Sequence, residues 1–223
     1  MTAPRAAIWD VDGTLVDTAE MHFAAWQAFA AAHGFAFTRA DFAATFGKRN
    51  PEIVRQLFDP AADDARCADW GEEKERLYRD ATDRAGVALL PGVGALVEGL
   101  AVAGWLQGLG SSAPRANLDL ILRHTGTAAR FTAVVSGDDV TRGKPNPEVF
   151  LKAAALLGVP PGRCVVFEDA PSGVAAAKAA GMACVGVTFV GHHPAERLTA
   201  AGATLVVPSL DALAVGEVEG LLR

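Results

Sequence analysis

Cysteine is scarce in this chain and poorly spaced for metal or bridge chemistry. Cys67, Cys164 and Cys184 are the three cysteines among 223 residues. An odd count without metal-type spacing excludes a cysteine-ligated zinc site and a disulfide framework, and reads as reduced core thiols in a cytoplasmic protein. No apolar run approaches the ~20 residues that cross a bilayer, which excludes a membrane-spanning protein. The stretch before Asp10 is too short to hold a signal peptide. Positive charge is also in deficit. With a net charge of -6 and no basic cluster, nucleic acid is excluded as a partner. Low-complexity tracts are absent, because Gly and Pro are spread along the chain. What the chain does have is apolar content: 51% of its residues are hydrophobic, enough for one large domain or a core with an insertion. Nothing in the composition assigns an oligomeric state.

The most informative stretch is Asp10-Val11-Asp12-Gly13-Thr14. The run before it, Ala6-Ala7-Ile8-Trp9, is too short for a globular helix and predicts a buried strand ending in a Gly-Thr turn. Two carboxylates two apart in extended chain project to the same side. Like charges that close are kept together by a cation between them or by a raised pKa on one.

Three more polar clusters follow apolar runs. Trp105 to Gly110 leads to Ser111-Ser112; Thr132 to Gly137 leads to Asp138-Asp139 and then Gly143-Lys144-Pro145; Arg163 to Phe167 leads to Glu168-Asp169. Helical stretches lie between them, at Arg115 to His124, Pro147 to Leu157 and Ser172 to Ala180. Alternating strand and helix imply a parallel sheet covered on both faces, and such sheets bind ligands beyond the carboxyl ends of their strands. Asp10, Ser111, Lys144 and Asp169 are therefore expected on one rim.

In order and position, these clusters resemble the four motifs of the haloacid dehalogenase-like hydrolase superfamily, over nearly the whole chain. Asp10-Val11-Asp12-Gly13-Thr14-Leu15 is similar to the first motif, Ser111 to the second, Lys144 with Pro145 to the third, and Glu168-Asp169 with Gly173 to the fourth. Asp17-Thr18-Ala19-Glu20-Met21-His22 extends the likeness toward the beta-phosphoglucomutase and sugar-phosphate phosphatase subgroup.

The resemblance implies phosphoryl transfer. Asp10 is the candidate nucleophile, giving an aspartyl-phosphate, and Asp12 the candidate general acid and base. Carboxylates alone would repel the substrate, so a cation is needed, and oxygen ligands suit Mg²⁺. Asp10, the backbone carbonyl of Asp12, and Asp169 are the expected ligands, with Glu168 assisting directly or through water. Lys144 adds a second positive charge; Pro145 is expected to hold it in extended chain, and Asn146-Pro147 to form an N-cap and a first-turn proline. Ser111 and Ser112, just before Pro114 in the first turn of a helix, make a phosphate seat from backbone N–H groups and a hydroxyl. Arg115 either contacts the phosphate or lies on the surface. Asp138 and Asp139 read as loop carboxylates or as caps near Thr141.

One discontinuity stands out. From about Asp17 to Gly86 the pattern is helical throughout. Phe23, Trp26, Phe29 and Ala30 repeat at helical spacing with Gly34 as a stop, another helix follows Asn50-Pro51, and Asp63 to Arg84 carries Trp70, Leu77 and Tyr78 on its apolar side. The expected fold is α/β: a Rossmann-like parallel-sheet core (residues 1–16 and 87–223) with an inserted all-helical cap domain (17–86), the cap setting substrate choice. Thr18 and His22 are placed by the resemblance near the hinge and active site, though a packed or capping histidine is an equal reading. Gly47-Lys48-Arg49-Asn50 stands where the mutases carry a Gly-x-Ser-Arg segment that holds a distal phosphate. Here that register has Asn50, which weakens a mutase reading; Lys48 and Arg49 either bind a second phosphate or are exposed.

The reading is thus a Mg²⁺-dependent phosphatase of a small phosphorylated metabolite, a sugar or polyol phosphate. Its alternatives are a beta-phosphoglucomutase and a phospho-acceptor signalling domain. Asp12 and the cap count against the last, which needs neither a leaving-group acid nor a lid.

Overall fold

Ala6-Ala7-Ile8-Trp9 forms the first strand, β1 (Ala6–Trp9), of the computed structural model, which describes residues 3–222. All four side chains are buried, the mark of a strand covered on both faces. Four helices follow without a strand between them: α1 (Ala19–Ala32), α2 (Arg39–Thr45), α3 (Asn50–Leu57) and α4 (Asp64–Ala85). Then α5 (Val93–Val102) leads to β2 (Leu106–Gly110), α6 (Arg115–Thr125) to β3 (Ala133–Val135), and α7 (Glu148–Leu157) to β4 (Cys164–Glu168). The chain continues through α8 (Pro171–Ala179), β5 (Ala183–Val187), α9 (Ala195–Ala201), β6 (Leu205–Val207) and α10 (Val215–Gly220). The six strands make one parallel sheet in the order β3-β2-β1-β4-β5-β6. The fold is α/β and Rossmann-like, with an inserted all-helical segment. No helix among the described residues is long and apolar enough to cross a membrane.

The chain forms two compact units, Met1–Asp17 with Ala88–Arg223, and Thr18–Val87. In the sheet unit, side chains alternate across β1. Ala6 and Ile8 join a core of Val149, Phe150 and Ala153 from α7, Val174 and Ala177 from α8, and Leu198 from α9. On the other face Trp9 stacks on Phe167, with centroids 4.0 Å apart, and donates from Nε1 to Gln107 Oε1 at 3.1 Å. Gln107 Nε2 donates to the Val97 carbonyl of α5 at 2.8 Å, so this buried amide keeps both partners it needs.

The helical unit is built on rings. Phe23, Trp26, Phe29, Phe37, Phe42 and Phe58 form its core. Local signals start its helices: Thr38 and Asp41 close a capping box at α2, and Asp63 Oδ1 accepts the Arg66 N–H at 2.8 Å at α4.

Two local readings shift. Pro147 stands at the N-cap of α7 rather than in its first turn, and Asn146 Oδ1 accepts the Glu148 N–H at 3.1 Å from one residue further back. Pro114 likewise stands at the N-cap of α6. The Lys144–Pro145 peptide is cis, inside a turn closed by Asn146 N–H on the Gly143 carbonyl at 3.0 Å.

Candidate active site and metal centre

Sheet register decides which side chains emerge together. Trp9 pairs with Leu109 on one side and with Phe167 on the other. The residues that follow, Asp10, Gly110 and Glu168, therefore leave the carboxyl edge side by side, and the Asp10 N–H reaches the Phe167 carbonyl at 3.0 Å. Ligands of open α/β sheets bind at this edge, where connections part to either side of one strand. With β2 and β4 as its neighbours, β1 is that strand.

Three buried carboxylates meet there. Asp10, Glu168 and Asp169 bring oxygens within 4.8 Å of one another. Lys144 reaches them from the loop between β3 and α7, donating from Nζ to Asp10 Oδ1 and to Glu168 Oε1, each at 2.6 Å. Glu168 Oε2 accepts the Ala170 N–H at 2.7 Å, so both its oxygens are held. Asp169 Oδ1 accepts the Thr14 hydroxyl at 3.4 Å. Its Oδ2 is buried without a hydrogen-bond partner among the described residues.

The electrostatics are those of an acid excess away from water. Burial pushes the Asp10 carboxyl up to about 8, against the pull of Lys144 and with the repulsion of Glu168 and Asp12 added. Asp169 is raised well above the usual carboxylate range by burial, then by Glu168 and Asp10. Burial works against the charge on Lys144, but Asp10 and Glu168 outweigh it and hold the ammonium protonated. An orphaned buried carboxylate oxygen is costly unless a cation meets it. Three carboxylates against one ammonium, with only oxygen donors, fit a hard divalent cation.

Gly13 makes room for that arrangement. Its φ of +87° is closed to most side chains, and a Cβ there would stand 2.2 Å from Asp169 Oδ2. Asp12, one residue earlier, is half-buried. Its carboxyl is not among the three that gather. β1 ends at Trp9, and a turn starts at Val11, whose carbonyl accepts Thr14 and Leu15 N–H groups.

Ser111 is buried beside this edge, its N–H committed to the Val135 carbonyl and its Oγ accepting the Ala113 N–H, both at 3.0 Å. Ser112 is half-buried next to it. Of the backbone groups expected to seat a phosphate, those of Ser111 and Arg115 are taken, the latter by Asp138 Oδ2 at 2.8 Å. The Arg115 side chain is exposed and pairs with Asp119 at 2.9 Å. Asp138 thus caps α6, Asp139 holds Ser136, and Glu148 rather than either aspartate binds Thr141.

Within the helical unit, Thr18 is fully buried just ahead of α1. His22 is packed: its ring stacks on Tyr78 at 3.9 Å, and Lys74 donates to its Nδ1 at 2.7 Å. Lys74 also donates to Glu75 Oε1, which accepts Asn50 Nδ2, each at 2.8 Å. Lys48 is exposed and donates to Gln56 Oε1 at 2.7 Å; Arg49 donates from Nε to Glu52 Oε1 at 3.1 Å. Lys74 and Glu75 were not singled out from sequence. The signal for them was the spacing of Gly71, Lys74, Glu75, Tyr78 and Thr82, all on the buried face of α4.

Residues 4–181 match the haloacid dehalogenase-like hydrolases. The chain is 34% identical to the beta-phosphoglucomutase of Bacillus subtilis over 190 residues, 82% of this chain and 83% of that one. It is 34% identical to hexitol phosphatase A of Escherichia coli over 215 residues, 95% and 94% of the two chains. Among solved structures it is similar to a beta-phosphoglucomutase from Clostridium difficile, with a TM-score of 0.87 and 27% identity, covering 98% of this chain and 97% of that one.

Proposed function

The chain belongs to the haloacid dehalogenase-like hydrolase family, and on that footing we propose that it is a Mg²⁺-dependent phosphatase of a small sugar or polyol phosphate, working through a phosphoenzyme at Asp10. The observation that carries this reading is the Lys144 ammonium held between Asp10 and Glu168, with the orphaned Asp169 oxygen alongside. Asp10, the Asp12 backbone carbonyl and Asp169 would hold the metal, with Glu168 supporting them. The ion, when bound, offsets the negative charge that would keep a carboxylate and a phosphate apart.

The chemistry of the chain's own groups follows. Lys144 fixes Asp10 Oδ1 and favours the ionised carboxylate that burial opposes. A carboxylate oxygen of Asp10 attacks phosphorus as the ester P–O bond breaks, and Asp12 gives its proton to the leaving oxygen. Water then attacks the phosphoenzyme, its proton passing to Asp12, and phosphate departs with Asp10 restored. Ser111 and Ser112 are the candidates for contacting the phosphoryl group. Thr18 and His22 are the candidates for contacting the rest of the substrate, and the helical unit is the proposed seat of substrate choice.

Hydrolysis is favoured over mutase activity by the state of the Lys48–Asn50 segment. Its three polar side chains are engaged with Gln56, Glu52 and Glu75 of their own unit, which speaks against a distal-phosphate clamp. The mutase reading draws on the likeness to the Bacillus subtilis enzyme. A Mg²⁺-containing screen of phosphorylated metabolites, including beta-glucose 1-phosphate with a bisphosphate primer, separates the two. Free phosphate from a sugar or polyol phosphate is the expected result. Glucose 6-phosphate without free phosphate would replace this reading with the mutase, and no turnover of any phosphoester would remove both.

A further inference from the structure

We propose that Gly173 is a positioning residue: the space left by its missing side chain is where the Glu168 carboxyl group lies, and through Glu168 it determines where the Lys144 ammonium stands against Asp10. The inference rests on the roles proposed above for Asp10 and Lys144. A Cβ at position 173 would fall 1.6 Å from Glu168 Oε1, 2.0 Å from Cδ and 2.7 Å from Cγ. None of these contacts is survivable without moving the carboxyl group. That group has nowhere close to go, because Oε2 is tied to the Ala170 N–H, Oε1 to Lys144, and the side chain is buried. Glu168 thus folds back over the start of α8, and Gly173 is the floor beneath it.

No backbone reason accounts for this glycine. Gly173 is not among the glycines with positive φ. It sits in the first turn of α8, where alanine is by propensity the better residue. Local helix formation therefore argues against glycine, and the Glu168 carboxyl argues for it.

The test is Gly173→Ala in two backgrounds, read by turnover of p-nitrophenyl phosphate with Mg²⁺ and by thermal unfolding of the metal-free protein. In the otherwise wild-type chain the added methyl should displace Glu168 and with it Lys144. Since ~1 Å of misplacement costs on the order of 10²-fold in rate, kcat should fall about that much with KM little changed. The thermal midpoint should fall by about 3 °C or more. In a Glu168→Ala background the clash is gone, and the same Gly173→Ala change should leave the midpoint unchanged or raise it. This reversal of sign is what a purely structural glycine would not produce. Equal destabilisation in both backgrounds, including failure to fold in both, would overturn the inference, as would unchanged kcat and midpoint in the single variant. If the wild type and Asp10→Asn turn over the probe equally, the proposed phosphatase site falls instead; if Asp10→Asn is dead and Gly173→Ala is normal, only the role of Gly173 falls.

Discussion

Each compact unit buries a lysine, and the two lysines are satisfied in opposite ways. Lys74 in the helical unit meets one carboxylate, Glu75, with His22 and Asn50 beside them. Lys144 in the sheet unit meets two carboxylates, and a third, Asp169, lies beside them with an oxygen unmet. The first cluster sets one ammonium against one carboxylate. The second gathers more carboxyl groups than its one ammonium can neutralise. A buried polar group with all its partners reads as architecture, whereas a buried excess of one sign reads as a place for something that is not protein.

The packing differs as sharply. Ten of the sixteen aromatic residues lie between Thr18 and Val87. Helices packed on helices leave about 8–10 Å between axes for side chains to fill, and rings do this. On the sheet, strands already supply a continuous apolar surface, so alanines and valines of α7 and α8 cover much of it, with Phe150 and Leu157 of α7 and Leu198 of α9.

The largest test of this contrast is Asp10→Asn, which should lower turnover by on the order of 10⁴-fold or more while leaving the circular dichroism spectrum unchanged. Near-normal turnover would mean that the acid excess is architecture too. Next in size, Lys74→Met takes the ammonium away from the buried Glu75 and should cost about 3–5 kcal/mol in urea unfolding, whereas Lys74→Met with Glu75→Leu should recover most of that loss. Equal losses in the single and double variants would show that the helical cluster is not a self-balanced pair.

A smaller effect is expected from pH. Folded Asp10 keeps its proton to about pH 8, while the unfolded chain releases it near 3.8. Between these values the native state binds more protons than the unfolded one, so stability of the metal-free protein should fall as pH rises through this window and level off above it. Thermal melts without metal should show this decline, and saturating Mg²⁺ at pH 8 should reverse it; a rise in metal-free stability over the same range would contradict the acid excess. Least of all, Arg115→Ala removes an exposed pair worth about 0.3–0.5 kcal/mol. A several-fold rise in KM for a phosphate ester in that variant would put Arg115 back among the substrate contacts.

Much of this was legible in the chain. Asp10, Lys144, Glu168 and Asp169 stand just past apolar runs or in the loop after one, and polar residues at strand ends mark the working edge of a parallel sheet. The insertion was legible as a change of period after Trp9. Lys74 and Glu75 were hidden, because a charged, alanine-rich helix reads as solvated until something is seen to pack on it. Leu205-Val206-Val207 is too short for a period to declare it a strand.

The order of strands and helices, and the residue types available for phosphoryl chemistry, were determined by the sequence alone, since both are written in local periods and turn residues. Which oxygens Lys144 grips, which oxygen of Asp169 is left over, and why residue 173 must lack a side chain were decided only by the tertiary structure. The reason is physical. Those facts depend on the register between strands that are a hundred residues or more apart in the chain, and on the close room around a carboxyl group, neither of which any local stretch encodes.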